Sequence, residues 1–234
     1  MKNYFIILFL LITNAFVFGQ NLTGEELLAK AIAYHDPQNN WDTFNAAFNV
    51  EMESPKSSKR TTEIKINLPE EYFYSKAIKD TLTTEFTLDK GSCSIVFCGT
   101  KDFSEAQVKE YGLNCERASM YKNYYTYLYG LPMKLKDAGT IIHENVERKS
   151  FKGKEYLVLK VTYDKTVGGD IWYFYFNPKT FAMEVYQFFH DESKNDGEYI
   201  LLSEEEIIQG IKMPKIRKWY YNTDDGYLGT DTLK

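Results

Sequence analysis

Apolar residues recur along this chain at two spacings, and the chain divides where the spacing changes. Across Gly24–His35 the positions Leu27, Leu28, Ala31, Ile32 and His35 share one face at a period near four, which predicts an amphipathic helix laid on an apolar surface. Thr23 and Glu26 stand at capping-box spacing before it, and Asp36-Pro37 follows it. A threonine oxygen can accept from a first-turn amide, and proline cannot continue the helical ladder. After Trp41 the period drops to two. Ile64, Ile66 and Leu68 alternate with Glu63, Lys65 and Asn67, as in a strand with one buried face. Residues 43–52, 71–78, 81–88 and 92–97 are equally short and rich in aromatic and β-branched side chains, with turn chemistry between them. They predict an antiparallel meander.

Two helical segments interrupt the strands. Ser104 and Gln107 repeat the capping-box spacing ahead of Val108 and Tyr111, and Gly112 supplies the stop. Met120, Tyr121, Tyr124, Tyr127 and Leu128 then form a second stripe, closed by Gly130 and Pro132. Alternation resumes after Thr140, with Leu157, Leu159, Val161 and Tyr163 opposed to Tyr156, Val158, Lys160 and Thr162. Residues 170–190 read as a hairpin turned at Asn177-Pro178-Lys179-Thr180. Its first arm is apolar on both sides, Trp172, Phe174 and Phe176 against Ile171, Tyr173 and Tyr175, so it must be covered on both faces or line a cavity. Two last strands are expected near 197–202 and 211–222. The fold class is α+β, predominantly antiparallel β, without internal repeats or linkers.

The start of the chain belongs to a different class. Lys2 precedes the apolar run from Tyr4 to Ile12, and Val17 and Gly19 lead to Gln20. That order predicts a signal peptide over residues 1–19, too short to remain as a membrane anchor. The expected product is one domain, residues 20–234, secreted or periplasmic; Gln20 stands where a lipoprotein would need cysteine. A domain of roughly two hundred residues can bury a core without staples. The 28 basic and 33 acidic residues give a net charge of −5, which offers a polyanion nothing and excludes nucleic acid as an expected partner. Of the three cysteines, Cys93 and Cys98 fall on opposite faces of one segment. Either could pair with Cys115, or all three could be small buried side chains.

Four motifs stand in order along the chain: AIAYHDPQNNWDTF at 31–44, YLYGLPMKLKDAGT at 127–140, VTYDKTVGGDIWYFYFNPKT at 161–180, and a closing LGTDTL. Together they resemble an uncharacterised family of secreted proteins of the Bacteroidota, a domain of unknown function. The element order also resembles the periplasmic lipoprotein-localisation fold, a curved, half-open barrel closed by helices on its concave face. The resemblance implies that architecture and a location outside the cytoplasm, and it implies no catalytic residues.

Candidate chemistry is sparse. His35-Asp36 could form an acid–base pair at a helix end, or His35 could be a cation favoured by the helix C-terminus; His143-Glu144 is weakened by strand alternation, and His190 stands alone. No second ligand stands at metal spacing, and no phosphate loop or nucleophile elbow occurs, so neither a cofactor nor a metal is expected. Glu204 to Glu206 read as a solvated acidic turn, and the basic residues between Lys212 and Lys218 as a solvated strand face. The aromatic load of 19 Tyr, 16 Phe and 3 Trp is core with a remainder suited to a cavity mouth, since tyrosine and tryptophan join an apolar body to a polar tip. Trp172, Phe174, Phe176, Tyr124, Tyr127, Leu131 and Met133 are the candidate ligand-binding positions. The leading expectation is a non-enzymatic carrier of a lipid, lipoprotein acyl chain or other apolar ligand. An envelope interaction module that docks another protein, and a hydrolase built on His35 and Asp36, are the alternatives.

Overall fold

The computed structural model describes residues 22–234; the expected signal peptide lies outside them. Helix α1 (Gly24–His35) carries the full capping box, with Thr23 and Glu26 exchanging backbone and side-chain bonds, and buries Leu27, Leu28, Ala31, Ile32 and His35. A 3-10 turn at Trp41–Thr43 follows, which is why the first strand begins at Asn45 and not at Thr43.

Twelve strands then build one antiparallel sheet. Strands β1 (Asn45–Ser54), β2 (Ser57–Asn67), β3 (Tyr72–Lys79), β4 (Leu82–Asp89) and β5 (Ser92–Phe97) form the meander. Helices α2 (Glu105–Tyr111) and α3 (Cys115–Gly130) carry the chain across to β6 (Thr140–Phe151), which opens a second meander of β7 (Lys154–Tyr163), β8 (Ile171–Phe176), β9 (Met183–Phe189), β10 (Glu198–Ile208), β11 (Ile211–Tyr221) and β12 (Tyr227–Leu233). The spatial order is β5-β4-β3-β2-β1-β12-β11-β10-β9-β8-β7-β6. Helices α1 and α3 pack against the sheet, and the fold is the antiparallel α+β arrangement that the pattern predicts, in the curved, open form with covering helices that the resemblance implies.

Strand β12 corrects the expected strand count. It is short and rich in Gly, Thr and Asp, so it lacks a strand signature of its own, yet it joins the meanders: Val50 pairs with Leu233, and Ile216 with Thr232. Glu204 to Glu206 lie inside β10 and not in a turn; Glu206 pairs with Lys215, and Glu205 accepts from the Tyr34 hydroxyl.

The concave face holds the main core, from Leu27 and Leu28 through Phe48, Ile64, Phe73 and Leu159 to Phe174, Tyr186 and Leu233. The doubly apolar strand β8 is covered on both sides. Phe174 and Phe176 enter the main core, while Tyr175 lies fully buried in a second cluster with Tyr156, Val158 and Val185 on the opposite face. That outer cluster is roofed by the sheet's own rings, with Phe151 5.0 Å and Tyr156 5.7 Å from Tyr175.

Cys93 of β5 is bonded to Cys115, the first residue of α3, and Cys98 is free and exposed beyond the end of β5. The bridge therefore ties the helix crossing the concave face to the outermost strand.

Candidate functional site

Helix α3 organises the concave side. Asn114 caps it by accepting from the Arg117 amide at 2.8 Å. At its far end a Cβ on Gly130 would lie 2.2 Å from the Trp41 ring, so only glycine lets the helix close on that indole. The expected stripe is corrected here. Met120 and Tyr124 are exposed, while Ala118, Tyr125, Leu128 and Tyr129 are buried. Tyrosines occur almost all round this helix, so spacing by itself does not choose the inward face. The sheet chooses it: Tyr121, Tyr125 and Tyr129 meet Phe86, Phe73 and Phe48 at 5.8, 6.4 and 4.8 Å. These rings fill the centre of the concavity.

Space survives on the flank of α3 that faces the second meander. A groove of about 600 Å³ runs there between the helix and β7–β8, lined by Tyr124, Tyr127, Tyr163, Trp172, Leu68 and Val167 with Lys122, Asn123, Lys134, Asp137 and Asp170 at polar positions. The Tyr127 and Tyr163 hydroxyls meet at 2.5 Å, and the Tyr127 ring stands edge-on to Trp172 at 5.6 Å. Burial pushes both phenols up, Tyr163 to about 12, so both remain neutral donors at physiological pH. Lys134 pairs with Asp137, and Asp170 with His190, at the rim.

Three of the seven candidate positions, Tyr124, Tyr127 and Trp172, thus come together in the groove. Phe174, Phe176 and Leu131 are sealed in the core, and Met133 borders a different depression with Trp41 and Asp36. Tyr163, Leu68 and Val167 belong to the groove without having been singled out. The alternation of β7 already put Tyr163 on the face of Leu159 and Val161, whereas Leu68 arrives only through long-range packing.

The expected solvated basic face of β11 is also corrected. Arg217 is 0 % exposed; its Nη1 donates to the Pro214 carbonyl at 2.8 Å and its Nη2 to the Leu128 carbonyl of α3 at 3.3 Å, and its guanidinium lies 4.1 Å from the Tyr129 ring centre. Its parity with Ile211 and Met213 turns it inward. Cross-strand register extends this into a rung, Arg60 opposite Met52, Met52 opposite Asp231, and Asp231 opposite Arg217. Asp231 accepts from the Trp219 indole at 3.2 Å, and burial pushes its carboxyl above the ordinary value. Both guanidiniums thus stand on the rung of one buried carboxylate and favour its charged form through space against its burial.

His35 and Asp36 do not form an acid–base pair. His35 Nδ1 contacts the Lys212 carbonyl at 2.7 Å and Nε2 accepts from the Met183 amide at 2.9 Å, a pattern that fixes the neutral tautomer. Asp36 accepts from the Asn40 and Trp41 amides. Both side chains are buried clamps on backbone, and neither ring nitrogen is left for proton transfer. His35 is not a cation on the helix end either, because burial holds its pKa below the usual 6.5. The unfolded chain therefore takes up a proton at a higher pH than the folded one. The stability that a neutral His35 contributes is present above about pH 6.5 and is lost as the pH falls towards the lower native value. Thermal unfolding at pH 7.5 and pH 5 should show a smaller acid loss in His35→Gln than in the native protein; equal losses would assign the effect elsewhere.

A family model described as "Family of unknown function (DUF6503)" matches residues 2–234. No curated protein matches the chain. Among solved structures, a LolA superfamily protein from Nitrosomonas europaea shares the fold at 12% identity, with a TM-score of 0.50 and coverage of 91% of this chain and 92% of that one. A putative outer membrane lipoprotein-sorting protein domain from Vibrio parahaemolyticus matches with TM-score 0.48, 11% identity and coverage of 90% and 91%. A DUF1329 family protein from Desulfovibrio piger matches with TM-score 0.49, 9% identity and coverage of 92% of each chain. Among the described residues no helix is long and apolar enough to cross a membrane.

Proposed function

The chain belongs to a family of unknown function, DUF6503, and we propose that it is a non-enzymatic binding or carrier protein that works outside the cytoplasm and holds an apolar ligand beside α3. The observation that carries this reading is the groove of about 600 Å³ walled by Tyr124, Tyr127, Tyr163 and Trp172. Its size falls within the range of small-molecule sites, and its aromatic walls with a few polar tips suit a lipid acyl chain or a similar apolar body. The fold shared with a LolA superfamily protein accords with a sheet-and-helix container, and the Cys93–Cys115 bridge accords with an oxidising compartment. The concavity itself is filled by Tyr125 and Tyr129, so the ligand lies along the helix flank and not beneath the helix.

Binding of the neutral fluorophore N-phenyl-1-naphthylamine, with mass spectrometry of lipids extracted from the natively purified protein, tests the reading. Trp172→Ala should weaken fluorophore binding by about tenfold, as expected for loss of one aromatic wall, with the thermal transition retained. Unchanged binding in that variant, together with no extractable apolar ligand, would leave the filled concavity as the mark of an interaction module that docks an envelope protein.

A further inference from the structure

The opposite flank of α3 carries a second space. Residues 121 and 125 of α3 point towards β2–β4, while 123 and 127, about half a turn away, line the groove on β7–β8; a helix lying inside a curved sheet meets a wall on each side. The second space measures about 160 Å³, comparable to cavities that admit a benzene-sized molecule. Its aromatic walls are Phe86, Tyr111, Tyr121 and Tyr125, the aliphatic hydroxyls of Thr62, Ser75 and Thr84 line it from the sheet, and its charges are Arg60 and Lys79. No carboxylate lines it.

Arg60 is the distinctive group. Its Nε is buried without an acceptor, and the carboxylate on its rung, Asp231, also faces Arg217. A half-buried guanidinium whose Nε is shut off from water without an acceptor, facing hydroxyls and aromatic rings, is a site short of one anion, because a buried polar group needs a partner to offset its lost hydration. Lys79 and Leu82 are exposed at the mouth, one able to draw an anion in and the other to meet an apolar chain.

We propose that this space binds an organic monocarboxylate with a short apolar body, its carboxylate on the Arg60 guanidinium and its body against Phe86 and Tyr121. The site is separate from the groove and stands or falls independently of it. Calorimetric titration with octanoate and with 1-octanol tests it, since the two share a chain and differ in charge. Octanoate should bind at least about tenfold more tightly than octanol, the scale of one charge-assisted hydrogen-bonded contact. Arg60→Met should remove that preference and Arg60→Lys retain part of it. Ala77→Leu, which fills the space from β3 without touching the charge, should block octanoate, and Trp172→Ala should leave it unchanged. Equal binding of the two probes, native octanoate affinity in Arg60→Met or Ala77→Leu, or loss in Trp172→Ala alone would overturn the proposal.

Discussion

Replacing Arg217 by alanine should lower the free energy of unfolding by about 3–5 kcal/mol, the scale of removing a fully buried, hydrogen-bonded side chain and leaving a cavity. The side chain is fully buried and donates to carbonyls on its own strand and on α3. Truncation therefore orphans two acceptors, opens space beside Tyr129, and leaves Asp231 facing Arg60 alone. Arg217→Met separates these causes: it keeps most of the volume and removes the desolvated charge, so its cost should be lower, about 1–2 kcal/mol. Urea denaturation of both variants reads the difference. If alanine and methionine cost the same small amount, the guanidinium is not what joins α3 to β11.

Removing the Cys93–Cys115 bridge should cost about 3 kcal/mol by loop-closure entropy, given a sequence separation of 22 residues. Reduction frees the start of α3 from β5, so the loss should appear first as opening of the helix and only then as unfolding of the sheet. Hydrogen exchange of α3 amides, with and without reductant, distinguishes the two. Cys98→Ser should change neither, because that thiol is exposed and unpaired. Uniform loss of protection across the sheet would show that the bridge does not act through the helix.

Most of the strands were legible because one face of each is buried, which writes a period of two into the chain. Both capping boxes announced their helices. Where reading by residue type failed, long-range packing decided. Strand β12 has no signature apart from its neighbours β1 and β11. The inward face of α3 was set by which tyrosines meet Phe48, Phe73 and Phe86, information that lies on other strands. The cysteine pairing depended on where α3 lands relative to β5. Arg217 is the instructive miss: its parity with Ile211 and Met213 marked it as inward, but its charge argued for solvent, and the local alternation proved the better guide. In the candidate site, Trp172 stood out on a strand apolar on both faces and Tyr127 in the stripe of the second helical segment, whereas the rung of Arg60, Asp231 and Arg217 required the register of four strands.

The central placement of β12 also dictates how the molecule must assemble. Each meander is made of neighbouring hairpins and can zip locally, but the two become one sheet only when Val50 meets Leu233, a closure spanning about 180 residues of intervening chain. Such distant pairings make slow folders. The kinetic bottleneck is therefore the docking of β12, already zipped onto β11, against β1, and until it docks the edges of β1 and β12 stand open to pairing with other chains.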